Sequence, residues 1–287
     1  MTPHRRLDDL DVSPIAAGTA GLIFDETMDG AKRIAALTAA VEGGTTVFDT
    51  AYAYSPAGGG HAGERIIANA LRDIGADDVT IVTKGGHFHA ADGTFPIDGR
   101  PAAIQEHCRG SLEALRVDAI DLYLLHWPDP KLPFDDSVWA LRELVDDGLV
   151  RRIGLSNVTI EQLETAREIT HISAVQNRYL IGGGEDAMLR TTEARGITYL
   201  AYSPLGLVDD WRAFAARPGI ATLATTHDAT AQQLVIAWLL ARSPSIVPVS
   251  GATKPSTVRS TIAAADLLLS PEDITVLSAE LGAVTTR

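Results

Sequence analysis

Cysteine is nearly missing: among 287 residues there is one, Cys108. No internal disulfide can form, which excludes a disulfide-stapled scaffold and points to a reducing compartment. Its place in the helical-looking run Ile104–Leu115 makes it a small core residue. Long apolar runs are missing too. Leu234–Leu240 falls far short of the ~20 residues that a membrane span needs. The start, Met1 to Asp11, is polar and has no apolar core of the kind an export signal carries. A cytoplasmic protein with no membrane partner is the expectation. Basic residues are in deficit, 24 against 37 acidic, for a net charge of −13. A nucleic-acid partner would need a basic footprint, so none is expected. Lysine is scarcest, only Lys32, Lys84, Lys131 and Lys254. Arginine in its place, beside abundant alanine, suggests a GC-rich bacterial genome.

What is present is a regular alternation. Short apolar runs rich in β-branched residues fall at Ile15–Ala20, Thr45–Asp49, Val79–Lys84, Ile120–His126, Arg152–Ser156, Ala174–Asn177, Ile197–Tyr202 and Ile246–Val249. Helical stretches lie between them, such as Ala31–Gly43, Gly63–Ile74, Ala102–Leu115, Val138–Asp147, Ile160–Glu168, Asp186–Arg195 and Ala231–Ala241. Continuous apolar strands separated by helices indicate parallel pairing buried on both faces. Eight such units predict an α/β fold, a closed (β/α)8 TIM barrel, and no linker divides residues 1–287 into more than one domain. Thr159 with Gln162 makes a capping box, and Ser270-Pro271-Glu272-Asp273 a second helix start.

In such a barrel the chemistry sits at the C-terminal ends of the strands. Asp49, Lys84 and His126 end three successive strands, and Tyr54 follows the first of them. A tyrosine is a weak acid, with an ordinary pKa of about 10. A lysine ammonium beside it favours the phenolate and is expected to lower that value. An aspartate would keep the lysine charged, and a histidine could bond the substrate oxygen. Together they describe a general acid with a site for developing oxyanion charge. Gly58-Gly59-Gly60-His61-Ala62-Gly63 matches G-x-G-x-x-G in letters only, because it does not follow a strand directly as the dinucleotide fingerprint requires. His87-Phe88-His89 lacks the companions of a metal site, and no metal is expected.

These stretches resemble the aldo-keto reductase superfamily. The resemblance is carried by Phe48-Asp49-Thr50-Ala51-Tyr52-Ala53-Tyr54, Val82-Thr83-Lys84, Asp121-Leu122-Tyr123-Leu124-Leu125-His126-Trp127-Pro128, Gly154-Leu155-Ser156-Asn157, Val175-Gln176-Asn177 and Ala201-Tyr202-Ser203-Pro204-Leu205-Gly206. They run in family order along nearly the whole chain. The resemblance implies NAD(P)H-dependent reduction of an aldehyde or ketone, with Asp49, Tyr54, Lys84 and His126 as catalytic tetrad. It further implies that Ser156, Asn157 and Gln176 hold the nicotinamide carboxamide and that Tyr202 stacks on its ring. Ser203, Leu205, Gly251, Thr253, Lys254 and Arg259 would serve the phosphates and adenosine. NADPH is the expected cofactor, with NADH possible, because Lys254 and Arg259 flank a helix start suited to an anion.

Leu22, Tyr52, His87, Phe88 and Trp127 are the candidate lining of the substrate pocket. Gly85 and Gly86, with histidines close by, suit a polar carbonyl such as a sugar or hydroxyaldehyde. Thr261 stands where the family usually has asparagine. A cofactor-binding regulatory protein with little turnover is the alternative on the same fold. A monomer is the default oligomeric state.

Overall fold

The computed structural model describes residues 4–179, 185–206 and 208–282. A short antiparallel hairpin opens the chain, β1 (Arg5–Leu7) paired with β2 (Leu10–Val12). Eight parallel strands then close on themselves: β3 (Ala16–Gly18), β4 (Val47–Asp49), β5 (Thr80–Gly85), β6 (Leu122–Leu125), β7 (Ile153–Ser156), β8 (Ala174–Arg178), β9 (Thr198–Tyr202) and β10 (Ile246–Ser250). β10 pairs with β3 through Val249 and Ser250 and completes the circle. The expected (β/α)8 barrel is the observed fold, and each expected strand overlaps an observed one.

Alternation along β6 shows how the core divides. Leu122 and Leu124 turn inward and pack with Val47, Val82, Leu200 and Val247 inside the barrel. Tyr123 and Leu125 turn outward and join the layer beneath the helices. Both faces are apolar, so a continuous hydrophobic run is the only pattern such a strand can carry. The hairpin contributes Leu7 and Val12 to the inner cluster and so plugs the barrel at the N-terminal ends of its strands.

The helices are α1 (Ala20–Phe24), α2 (Gly30–Glu42), α3 (Ala62–Asp73), α4 (Pro101–Leu115), α5 (Phe134–Asp146), α6 (Ile160–Ile169), α7 (Glu185–Ala194), α8 (Trp211–Ala215), α9 (Pro218–Thr226), α10 (Ala231–Arg242), α11 (Pro255–Ala263) and α12 (Pro271–Gly282). Thr159 and Gln162 form the expected capping box at α6, and Thr230 with Gln233 forms another at α10. Cys108 is buried on α4, and burial pushes its thiol up to about 12, leaving it protonated and inert. No helix among the described residues is long and apolar enough to cross a membrane.

Candidate active site

The ends of β4, β5 and β6 deliver polar groups into the barrel mouth. Lys84, fully buried near the end of β5, donates from Nζ to Asp49 Oδ1 at 2.8 Å and to the carbonyl oxygen of Thr50 at 2.8 Å. The second carboxylate oxygen of Asp49 accepts from Gln176 Nε2 at 2.7 Å. Lys84 Nζ also lies 3.5 Å from the Tyr54 hydroxyl and 4.8 Å from the centre of its ring. The His126 ring meets Tyr54 edge-to-face, with centroids 5.8 Å apart. Asp49, Tyr54, Lys84 and His126 therefore form one cluster.

Electrostatics separates their states. Burial opposes the Lys84 charge, but Asp49 and Tyr54 together outweigh it and hold the ammonium above the ordinary lysine value. At Tyr54, by contrast, burial dominates. It lifts the phenol above the ordinary tyrosine value despite the opposing pull of Lys84. The expected lowering by Lys84 is thus present as one influence and is outweighed by desolvation. His126 is pushed well below the ordinary histidine value by burial first, then by Lys84 and His87. It is a neutral imidazole at neutral pH, with one N–H to give.

One glycine fixes where Tyr54 stands. Gly63, in the first turn of α3, lies so close to the Tyr54 carbonyl that a Cβ there would overlap it. Gly58, Gly59 and Gly60 lie in the twelve-residue loop, 50–61, that separates β4 from α3, and Gly63 in the helix itself allows the approach to Tyr54.

From this cluster a cleft of about 440 Å³ runs along the barrel mouth, lined among others by Gly18, Tyr202, Ser203, Leu205 and Gly251. It shares Leu205, Thr257 and Thr261 with a second hollow of about 360 Å³, bordered by Thr230, Gln232, Gln233, Ser256 and Ser260. The Tyr202 hydroxyl donates to Asn157 Oδ1 at 2.8 Å, while Asn157 Nδ2 donates to the His126 carbonyl and to Ser156 Oγ. Asn157 holds this place with φ of 59°, a left-handed conformation that asparagine tolerates better than most residues. Ser156 and Gln176 are buried. Lys254 caps α11 and is exposed, as is Arg259 one turn on. Thr253 packs near Gly21, at the start of α1.

The candidate substrate-pocket residues fall in three places. His87 and Trp127 stand beside His126, with ring centroids of His87 4.9 Å from His126 and 6.4 Å from Trp127. Tyr52 and Phe88 belong to a neighbouring stack, in which the Tyr52 ring lies between His61 at 4.2 Å and His107 at 4.4 Å. Leu22 is buried in the apolar cluster against which Tyr54 packs.

Two aromatic residues, Phe24 and Phe95, and one carboxylate were not singled out in the sequence. Phe24 meets Tyr54 edge-to-face at 6.0 Å, and Phe95 and His89 stack at 4.1 Å beside it. No periodicity marks Phe24 or Phe95, because they lie at the tip of α1 and in the loop after β5. Glu64, on α3, is wholly buried. It accepts from Thr83 Oγ1 at 2.6 Å and pairs with His61 Nδ1 at 2.5 Å. Nothing in the sequence signals its burial, because an acidic residue in a first helical turn ordinarily faces solvent.

Residues 14–279 match the model of the aldo/keto reductase family. The chain belongs to that family. Pyridoxine 4-dehydrogenase of Escherichia coli (strain K12) is 34% identical over 262 residues, covering 89% of this chain and 88% of that protein. Among solved structures, a glycerol dehydrogenase from Gluconobacter oxydans superposes with a TM-score of 0.85 at 25% identity, covering 100% of this chain and 97% of its own. An aldo/keto reductase from Klebsiella pneumoniae, solved in complex with NADP and acetate, gives a TM-score of 0.81 at 27% identity over 97% of this aldo-keto reductase and 95% of its own chain.

Proposed function

We propose that this aldo-keto reductase reduces an aldehyde or ketone to an alcohol with NADPH, and that Tyr54 is the proton donor. The observation that carries the reading is the Lys84 ammonium, bonded to Asp49 and set against the Tyr54 hydroxyl at the head of a long cleft. The cleft and its adjoining hollow suit an extended dinucleotide. Its near end has the flat Tyr202 ring and the amide of Asn157; its far end has hydroxyls, side-chain amides and the N-terminus of α11. The NADP-bound relative from Klebsiella pneumoniae supports the same cofactor here. When bound, the reduced nicotinamide supplies a hydride.

The chain's own groups manage the oxygen and the proton. As negative charge grows on the carbonyl oxygen, the Tyr54 phenol and a neutral His126 N–H are the donors placed to meet it. Burial keeps the phenol protonated until that charge develops. An alkoxide is a far stronger base than a phenolate, so a raised tyrosine pKa does not prevent transfer. Proton loss leaves a tyrosinate beside Lys84, where the ammonium is most useful: its field is fixed before the reaction and is little screened in a buried site. Asp49 and the Thr50 carbonyl hold that ammonium in place, and Gln176 holds Asp49. Exposed Lys254 and Arg259 supply positive charge for an adenosine 2′-phosphate at the start of α11.

The test is the fall in NADPH absorbance with a panel of aldehydes and ketones, repeated with NADH. Turnover of at least one carbonyl is expected, with tighter binding of NADPH. Binding of NADPH without turnover of any carbonyl would leave a cofactor-binding regulatory protein instead.

A further inference from the structure

Strand β5 is held from both of its faces. Val82 and Lys84 point into the barrel, so Thr83 and Gly85 point out toward α3 and α4. On the outer face Thr83 Oγ1 donates to Glu64 Oε1 at 2.6 Å, and the second oxygen of Glu64 meets His61 Nδ1 at 2.5 Å. A Cβ on Gly85 would collide with the Tyr123 hydroxyl, and Gly86 donates its N–H to His107 Nδ1 at 3.1 Å. Burial first, then His61, pulls His107 down to about 4, so its ring is neutral and free to accept that bond. Lys84 therefore sits on a stretch of strand that is tied from outside on either side of it.

The same turn of α3 reaches Tyr54. Gly63 lies against the Tyr54 carbonyl, and Glu64, next in sequence, holds the residue before Lys84. Segment 50–54 rides on β5 as well: the Thr50 N–H donates to the Val82 carbonyl at 2.8 Å and the Tyr52 N–H to the Lys84 carbonyl at 3.1 Å. Two adjacent residues of one helical turn thus control both partners of the Lys84–Tyr54 pair. Nζ and hydroxyl stand 3.5 Å apart, and a further shift of about half an ångström would leave no hydrogen bond between them. Packing alone does not call for a carboxylate here. Glu64 and Thr83 are both fully buried, and an apolar pair of the same shape would fill the space without desolvating a charged group. What the carboxylate adds is direction: short bonds that a slip of α3 along β5 would break.

Resting on the reductase reading above, we propose that Glu64 is a positioning residue for the reaction. Through Thr83 it locks β5 to the first turn of α3, and so sets the Lys84 ammonium against the Tyr54 hydroxyl. It touches neither substrate nor cofactor. Its effect falls on the rate of proton and hydride transfer, where a small misplacement of reacting groups is costly, and leaves cofactor binding alone.

The experiment cuts the link at Thr83. Thr83→Val keeps the shape and removes the hydroxyl, Thr83→Ser keeps the hydroxyl, and Glu64→Gln keeps an oxygen for Thr83 to bond. The single-turnover rate of NADPH oxidation is measured with the carbonyl that the wild type reduces fastest in the panel above, beside the dissociation constant of NADPH and the melting temperature. Thr83→Val should slow the single turnover by about tenfold to a hundredfold, the scale of a misplaced reacting group, with the NADPH constant within about twofold of wild type. Thr83→Ser should recover most of the rate, and Glu64→Gln should lose far less than Thr83→Val. The double variant Thr83→Val with Glu64→Gln cuts the link without stranding a carboxylate. It should regain stability over Thr83→Val and stay slow, and it serves in place of the single variant if that one does not fold. A rate near wild type in folded Thr83→Val or in the double variant would overturn the assignment, as would a rate that rises and falls with melting temperature across the set. Either result leaves the reductase reading standing. Turnover of no carbonyl by the wild type would remove that reading and this assignment with it.

Discussion

The two ends of the cleft are built on different principles. At the Tyr54 end, Lys84, Asp49 and Gln176 are buried and tied to one another and to the Thr50 carbonyl. At the far end, Ser256, Thr257, Lys254 and Arg259 are exposed, and neither Lys254 nor Arg259 has an ion-pair partner among the described residues. A group that must stabilise charge for an instant during reaction has to be oriented beforehand, and burial among fixed dipoles does that. A group that grips a phosphate on binding can pay the ordering cost then, and exposure keeps it soluble and free to reach. Substitutions at the buried end should therefore be large and act on kcat or stability. Those at the exposed end should be small, act on binding and fade with salt.

Tyr54→Phe is the sharpest way to break the buried end. Loss of the proton donor should lower kcat by about 10²–10⁴-fold, the usual contribution of general acid catalysis. The dissociation constant of NADPH, measured by fluorescence titration, should stay near wild type. Near-normal turnover in a folded variant would exclude Tyr54 as the acid. Tyr52→Phe should be far milder, since Tyr52 lies between His61 and His107 rather than against Lys84. The wild-type pH profile follows from the same site. A general acid works while protonated, so reduction persists below its pKa and fails as pH rises through it. Burial lifts that value, so the alkaline limb of kcat should fall above the ordinary tyrosine value of about 10. A limb well below it would mean that Lys84 outweighs desolvation.

The second break tests burial itself, behind the Asp49–Lys84–Tyr54 cluster. Glu64 is wholly buried, with Thr83 and His61 as its partners. Gly110 leaves the room that His61 occupies, since a Cβ there would run into the imidazole. His61→Ala strands a buried carboxylate, which should cost about 3 kcal/mol or more of stability by urea unfolding. Adding Glu64→Gln should return part of the loss, because an amide needs no countercharge. Equal stability of single and double variants would show that the carboxylate is not charged in the fold.

Those contrasts also explain what could be read from sequence. The strands of the barrel were legible because burial on both faces demands unbroken apolar runs, as in Leu122–Leu125. That Asp49, Tyr54, Lys84 and His126 lie together was legible because three of them end successive strands and the family resemblance singled out Tyr54 over Tyr52. The hairpin Arg5–Val12 was not, because three-residue strands with Arg5, Arg6 and Asp11 carry too little pattern. α8 and α9 escaped for a related reason: α8 is a single short turn, and both lie in a segment between strands with no strong periodicity. Glu64 was hidden because a carboxylate in a first turn reads as surface. Phe24 and Phe95 were hidden because contacts made only through space leave no spacing along the chain.

At the exposed end, Lys254→Ala should weaken NADPH binding by about tenfold at low ionic strength, the scale of one charge-assisted hydrogen bond reduced by solvent. The loss should shrink as salt is raised, because an exposed charge is screened within about 10 Å at 0.1 M. NADH, which has no 2′-phosphate, should bind the variant and the wild type alike. Titration of both cofactors at two salt concentrations checks this. Equal losses for NADPH and NADH would show that Lys254 does not read the phosphate.

The smallest effect lies between the two ends. Tyr202 is half-buried at the end of β9, and its hydroxyl donates to Asn157 Oδ1 at 2.8 Å. Asn157 Nδ2 is engaged with the His126 carbonyl and Ser156 Oγ, so the tyrosine hydroxyl completes the bonding of that amide. Tyr202→Phe keeps the flat face and removes only this tether. One neutral hydrogen bond contributes about 1 kcal/mol, so cofactor affinity should fall by about threefold to tenfold. Tyr202→Ala removes the face as well and should cost more, by a further 0.5 to 1.5 kcal/mol or so, if the ring stacks on the nicotinamide. The difference between the two variants isolates the ring. Equal affinities for Tyr202→Phe and Tyr202→Ala would mean that the hydroxyl, by orienting Asn157, is the whole of the residue's contribution and that no stack forms.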